Sequence, residues 1–199
     1  MIQTLLCDIG DVLLFFNISK GYTNVANVFG METEALITFI ETQNIHGQFE
    51  TGQLSTAGLY DTLCSQGTKK PSIETFVFAW SDIFSPNETL FPIIDHLADN
   101  GLKLVLLSNI SELHYAWVCD TFPIIDQFDE ATLSFEVGAM KPSEEIFKDA
   151  LEKAGCLPSE CLYIDDIPEY ISSAKELGID AITYTNTPKF EEELKIRNL

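Results

Sequence analysis

Five short apolar runs set the limits on what this chain can fold into. They lie at 3–8, 102–107, 131–135, 161–164 and 180–184, and three of them run into polar or acidic residues: Asp8, Ser108-Asn109 and Asp165-Asp166. Runs of this length that are apolar nearly throughout suit strands covered on both faces. Helical patterns separate the later runs. The segment 111–119 starts on Ser111 as N-cap; 142–154 has Pro142 at its first helical position and stops at Gly155; 168–177 stops at Gly178. Strands alternating with helices predict right-handed βαβ units and an α/β fold with a Rossmann-like parallel sheet.

The stretch from about 18 to 100 follows another rule. Thr33 is placed to cap a helix whose Leu36, Phe39 and Ile40 share one face. Ser55 opens a second helix carrying Leu59 and Leu63, Ser72 a third with Ile73, Phe76, Val77 and Trp80, and a fourth runs from 87 to 100. Little in this stretch reads as strand. The expected organisation is an α/β core made of 1–15 and 101–199, with 16–100 inserted as an all-helical cap.

Charge narrows the choice of partner. Among 199 residues, Lys and Arg total 11 against 31 Asp and Glu, a net charge of −20, and Arg197 is the only arginine. Such a surface repels nucleic-acid backbones and anionic membranes. An anionic substrate then calls for a divalent cation to supply the missing positive charge. With no apolar run of bilayer length and no basic leader, the expectation is a cytoplasmic monomer or small homo-oligomer. The odd number of cysteines (Cys7, Cys64, Cys119, Cys156, Cys161) and their lack of metal-ligand spacing predict reduced, structural thiols. His46, His96 and His114 are equally isolated; His114, one helical turn beyond Asn109, is the one placed to face a crevice.

In a parallel sheet, function gathers beyond the carboxyl ends of the strands. Those ends deliver Asp8, Ser108, Asn109, Asp165 and Asp166, with Lys141 just before a helix. Singly, each has an ordinary structural reading: Asp8 as a turn cap, Ser108-Asn109 as a helix cap, Lys141 as a solvated lysine. The adjacent Asp165 and Asp166 are harder to explain without a cation, because like charges raise each other's pKa. Together the set suits Mg²⁺ and a phosphoryl group, with hard oxygen ligands on the metal and lysine and N–H groups on the remaining oxygens.

Asp8-Ile9-Gly10-Asp11-Val12, Leu107-Ser108-Asn109, Met140-Lys141-Pro142 and Ile164-Asp165-Asp166 resemble, in order and spacing, the four motifs of the haloacid dehalogenase superfamily. The first motif is similar to the branch holding sugar-1-phosphate phosphatases and the phosphatase domains fused to epoxide hydrolases. The resemblance covers essentially the whole chain and implies a Mg²⁺-dependent phosphatase acting on a small phosphorylated metabolite. By the same resemblance, Asp8 is the nucleophile that forms an aspartyl-phosphate. Mg²⁺ is held by Asp8, the Gly10 carbonyl and the Asp165-Asp166 pair, with Asp166 favoured as the direct ligand. Ser108, Asn109 and Lys141 bind the phosphoryl oxygens, and Lys141 also holds the nucleophile's carboxylate.

Two positions depart from the family pattern. Most family phosphatases carry an acid two residues after the nucleophile, where this chain has Gly10; Asp11 is one residue further and replaces it only if the backbone turns it inward. The second departure is Tyr170, where related sequences have a small polar residue. Without a dedicated acid, substrates with good leaving groups are expected, sugar 1-phosphates first. Two alternatives stand beside the phosphatase: another hydrolase of the family type such as a dehalogenase, and a non-catalytic binding module that kept the fold. The insert carries only Lys20, Lys69 and Lys70 as cations, which favours a small, neutral alcohol portion over a polyphosphate.

Overall fold

A computed structural model describes residues 1–199. In chain order, β1 (Thr4–Cys7) and β2 (Leu14–Phe16) precede five helices, α1 (Ile18–Phe29), α2 (Thr33–Thr42), α3 (Ile45–Glu50), α4 (Thr56–Gln66) and α5 (Ile73–Ser81). The chain returns through β3 (Phe84–Pro86) and α6 (Phe91–Asp99) to β4 (Lys103–Ser108), α7 (Glu112–Thr121), β5 (Glu130–Leu133) and the short α8 (Ser134–Val137). It finishes with α9 (Glu144–Ala154), β6 (Cys161–Asp165), α10 (Pro168–Glu176), β7 (Asp180–Thr183) and α11 (Thr187–Ile196).

The five core strands form one parallel sheet in the order β5-β4-β1-β6-β7. Successive strand side chains point to opposite faces, and that alternation divides the core in two. Leu5, Cys7, Leu104, Leu106, Leu162 and Ile164 face one way, onto α6, α7 and α11; Leu6, Val105, Leu107, Cys161 and Tyr163 face the other, onto α9 and α10. Both faces are covered, which is why these strands read as continuous apolar runs. Cys7 is level with Leu106 and with Ile164. The next residues along, Asp8, Leu107 and Asp165, therefore meet at one edge of the sheet where the strand order reverses around β1.

The helical insert has its own apolar centre, built from Val25, Phe29, Leu36, Ile40, Phe49, Leu59, Leu63, Phe76 and Trp80, with Leu113 reaching in from α7. Several details differ from the sequence expectation. The segment 87–100 does not join this centre: Leu90, Ile94 and Leu97 pack with Leu5 and Leu104 against the sheet. The insert is also not purely helical at its margins, because β2 and β3 pair antiparallel where the chain leaves and rejoins the core. Phe84-Ser85-Pro86 has no strand pattern of its own; pairing with β2 makes it one. Thr33 is the first helical residue rather than the cap, since Glu32 has the extended backbone before α2. Pro142 precedes α9, where Ser143 holds the cap position. The run at 131–135 forms strand only to Leu133 before turning into α8.

Asn87 fastens the returning segment to the core. Its buried amide donates to the Val12 carbonyl at 2.7 Å and to the Tyr184 hydroxyl at 2.8 Å, while its Oδ1 accepts from Thr89 at 2.7 Å. Tyr184 and Thr89 both reach Thr187, at 2.8 and 2.6 Å, closing a partly buried network between the residues that follow β3 and β7 and the start of α11. Removing one member of such a network leaves buried polar atoms unpaired. Asn87→Ala is expected to lower the unfolding free energy by roughly 2–3 kcal/mol, read as a reduced urea midpoint with an unchanged slope.

Candidate active site

Lys141 stands at the centre of the site. Its side chain is 1% exposed, and its ammonium lies 2.9 Å from Asp8 Oδ1 and 2.6 Å from Asp165 Oδ2 and donates to the Leu107 carbonyl at 3.0 Å. Two aromatic rings flank it, Tyr163 at 5.9 Å and Tyr170 at 5.3 Å from the ammonium. Burial alone would lower the pKa of Lys141, but the attraction of Asp8 and Asp165 outweighs it and holds the lysine charged.

The loop carrying Lys141 is fixed by Asn109. The Lys141 backbone N–H donates to Asn109 Oδ1 at 2.7 Å, and Asn109 Nδ2 donates back to the Lys141 carbonyl at 3.1 Å. The Asn109 side chain is thereby committed to the loop. Ser134 fixes the next residue by accepting from the Ile110 N–H at 2.9 Å. Ser111 caps α7 by accepting from the His114 N–H, as the sequence predicts.

Asp165 is fully buried and its oxygens are occupied. Oδ2 accepts from Lys141 and from the Tyr163 hydroxyl, and Oδ1 accepts from the Ile167 N–H at 2.8 Å. Asp8 is different: Oδ1 takes the Ile9 N–H at 2.8 Å and the lysine, while Oδ2 has no partner within the chain. Burial pushes the Asp8 carboxyl up to about 6 against the opposing pull of Lys141. Asp166 is half-buried and is also raised, by burial and then by repulsion from Asp165.

Oxygens of Asp8, Asp165 and Asp166 lie within 4.8 Å of one another. Three carboxylates around one lysine leave an excess of negative charge at the strand ends, and hard oxygen donors in that arrangement fit a divalent cation such as Mg²⁺. Asp8 and Asp166 have oxygens to spare for it, whereas those of Asp165 are already engaged.

A small cavity of about 80 Å³ opens at this end of the sheet, lined on the core side by Ile9, Gly10, Ser108, Asn109 and His114 and on the insert side by His46 and Glu50; Asp8 itself is not part of its lining. Phe16 and Phe84, from the paired strands, close its margin. No lysine or arginine lines it; Lys20 is paired with Asp82 at 2.8 Å elsewhere. Gly10 leaves room for Phe16: a Cβ there would lie 3.1 Å from the Phe16 ring. Asp11 is exposed, with a left-handed φ of 50°, and does not line the cavity.

The sequence reading brought Asp8, Gly10, Ser108, Asn109, Lys141, Asp165 and Asp166 to this one end of the sheet, and they are there. It did not find Phe16, His46, Glu50 or the partnership of Tyr163 with Asp165. Phe16 and Glu50 sit in stretches with no motif, and only the folding of the insert over the sheet brings them near. Tyr163 was legible as a buried strand residue but not as a hydrogen-bond donor. His114 does face the cavity; its Nε2 lies 3.3 Å from the Trp80 carbonyl, and burial lowers its pKa to about 4, so the ring is neutral. All five cysteines are free thiols.

Breaking a buried ion pair by deleting one partner costs roughly 3–5 kcal/mol. Lys141→Met is expected to destabilise the fold by about that much at pH 8, measured by urea unfolding. The loss should shrink at pH 5. Asp8, which titrates near 6 even beside the lysine, is protonated there and needs no counter-charge.

The haloacid dehalogenase-like hydrolase family matches residues 2–178. D-ribitol-5-phosphate phosphatase of Bacteroides thetaiotaomicron is 25% identical over 98% of this chain and 98% of its own length. A solved haloacid dehalogenase family enzyme of the same bacterium, in complex with magnesium and inorganic phosphate, is 29% identical over 93% of this chain and 95% of its own, with a TM-score of 0.80. The L-2-haloacid dehalogenase of Xanthobacter autotrophicus shares the fold at 18% identity and a TM-score of 0.62, covering 98% and 82% of the two chains. The chain belongs to the haloacid dehalogenase-like hydrolases.

Proposed function

We propose that this protein is a Mg²⁺-dependent phosphatase that hydrolyses a small phosphorylated metabolite through an aspartyl-phosphate on Asp8. The observation that carries the reading is the partnership of Asp8 and Lys141: a buried carboxylate with one oxygen on a charged lysine and the other free. The phosphatase names and the magnesium and phosphate of the similar proteins support it.

The chain's own groups divide the work. Asp8 Oδ2 is the attacking atom, and Lys141 holds Oδ1 so that the carboxylate presents one oxygen. Asp165 and Tyr163 keep Lys141 in place. The Ser108 hydroxyl, the Asn109 main chain and the lysine's charge receive the phosphoryl oxygens, giving the positioning and charge stabilisation on which phosphoryl transfer depends. Asp8, the Gly10 carbonyl and Asp166 are the proposed metal ligands, and a bound Mg²⁺ would neutralise charge on the phosphoryl group.

The helical insert acts as a cap over this site. The cavity of about 80 Å³ is far below the ~300–1,000 Å³ of sites that bury a drug-sized ligand. It suits a phosphoryl group, so the cap must open to admit the alcohol portion and close to exclude water. The uncharged hydrophobic margin and the lack of cations favour a small, hydroxyl-bearing alcohol over a nucleotide. Sugar 1-phosphates are one member of that class; primary alkyl phosphates such as D-ribitol 5-phosphate, the ester in the similar protein's name, are another. Gly10, where dehalogenases place an aromatic residue, and the paired acids Asp165 and Asp166 argue against dehalogenation.

Phosphate release from a panel containing D-ribitol 5-phosphate, glucose 1-phosphate and glucose 6-phosphate should require Mg²⁺ and stop on chelation. Asp8→Asn should lose turnover by orders of magnitude while its melting temperature stays at or above that of the wild type, since a buried charge is removed. Unchanged activity in Asp8→Asn would dismiss the nucleophile. Stoichiometric phosphate binding with no turnover on any ester would mark the protein as a binding module instead.

A further inference from the structure

The acid that the chain lacks at Gly10 has a counterpart on the insert. Glu50, the last residue of α3, lines the same cavity as Gly10, Ser108 and Asn109, approaching from the opposite side. Its carboxyl takes part in no salt bridge and no hydrogen bond within the chain. A half-buried carboxyl without a partner is unfavourable unless something in the cavity is there to meet it. Its position is also anchored: two residues on, Gly52 has a left-handed φ of 69°, and a Cβ there would lie 2.5 Å from the Phe135 carbonyl oxygen. This contact with α8 seats the end of α3 on the core.

The other proton carriers around the cavity are already engaged. His114 is neutral with Nε2 at the Trp80 carbonyl, and His46 shares a 2.7 Å hydrogen bond with the Tyr22 hydroxyl and is kept neutral by burial. In-line displacement places the leaving oxygen opposite Asp8 across phosphorus, and Glu50 is the one carboxyl that lines the cavity.

Resting on the phosphatase reading above, we propose that Glu50 is the general acid and base of the reaction, contributed by the cap in place of the acid absent at Gly10. In the first step a bond forms between Asp8 Oδ2 and phosphorus, the ester P–O bond breaks, and the departing alcohol oxygen takes the Glu50 proton. In the second, water attacks phosphorus, its proton passes to the Glu50 carboxylate, and the P–O bond to Asp8 breaks, releasing phosphate and restoring both carboxyls. Burial first, and repulsion from Asp8 second, raise the Glu50 carboxyl to about 7 against the pull of Lys141, so both protonation states are accessible at neutral pH. Because Glu50 belongs to the cap, the donor is in place only when the lid is closed.

Leaving-group dependence tests this. A p-nitrophenolate leaves without protonation, whereas an alkoxide does not. Glu50→Gln should therefore cut the single-turnover rate of aspartyl-phosphate formation from D-ribitol 5-phosphate by about 10²-fold or more while changing the rate of the p-nitrophenolate burst from p-nitrophenyl phosphate by less than about fivefold; steady-state turnover of both esters slows, because both need the base in the second step, and the melting temperature is unchanged. Glu50→Asp should recover part of the first-step loss on the alkyl ester. Equal losses in that first step on both esters, or no loss on either, would overturn the proposal. So would a wild-type enzyme that hydrolyses p-nitrophenyl phosphate but no alkyl phosphate, a result that leaves the phosphatase reading intact. A wild type inactive on both esters would overturn the two together.

Discussion

A single ammonium group, buried where the strands end, is the interaction on which the site depends. Asp8 and Asp165 leave β1 and β6 side by side, and without Lys141 their charges would face each other across a dry interior. The lysine turns that repulsion into a bridge and in doing so ties the loop before α9 to the central strand. It also sets the two carboxylates apart in chemistry. Asp165 is fully engaged and structural, whereas Asp8 retains a free oxygen and a raised affinity for protons. A site with this surplus of negative charge is poised for a divalent cation, and the chain as a whole, at −20, offers few cations of its own.

The two parts of the molecule contribute different things. The sheet, packed on both faces, provides rigid strand ends, and its groups can be positioned closely because nothing beneath them can shift without opening the core. The insert is joined to the core beside a short two-stranded ribbon and contributes His46 and Glu50 to the lining of the cavity. In the proposed reaction this would separate the nucleophile, on the sheet, from the cavity wall supplied by the insert.

Much of this was legible in the residues. The apolar runs announced the five strands, and the breakers Gly155 and Gly178 announced the helix ends. Errors fell where tertiary contact overrode local pattern. The segment 87–100 looks like the amphipathic helices before it, yet its apolar face belongs to the sheet, and amphipathicity does not say which core a helix will meet. Phe84–Pro86 became a strand because a partner lay alongside. The hydrogen bonds by which the Asn109 side chain holds the Lys141 loop were not legible in the residues.

What the sequence determined by itself is the set of groups at the strand ends, because a parallel sheet delivers each strand's last residue to the same edge whatever its loops do. The order of those groups along the chain was enough to identify the family. What only the tertiary structure decided is how they share their bonds: which carboxylate is saturated, which keeps a free oxygen, and that Glu50 faces them from across the cavity. Those outcomes depend on distances between residues far apart in sequence. Hydrogen bonds and charge interactions fall off within a few ångströms, a scale on which the linear order of a chain carries no information.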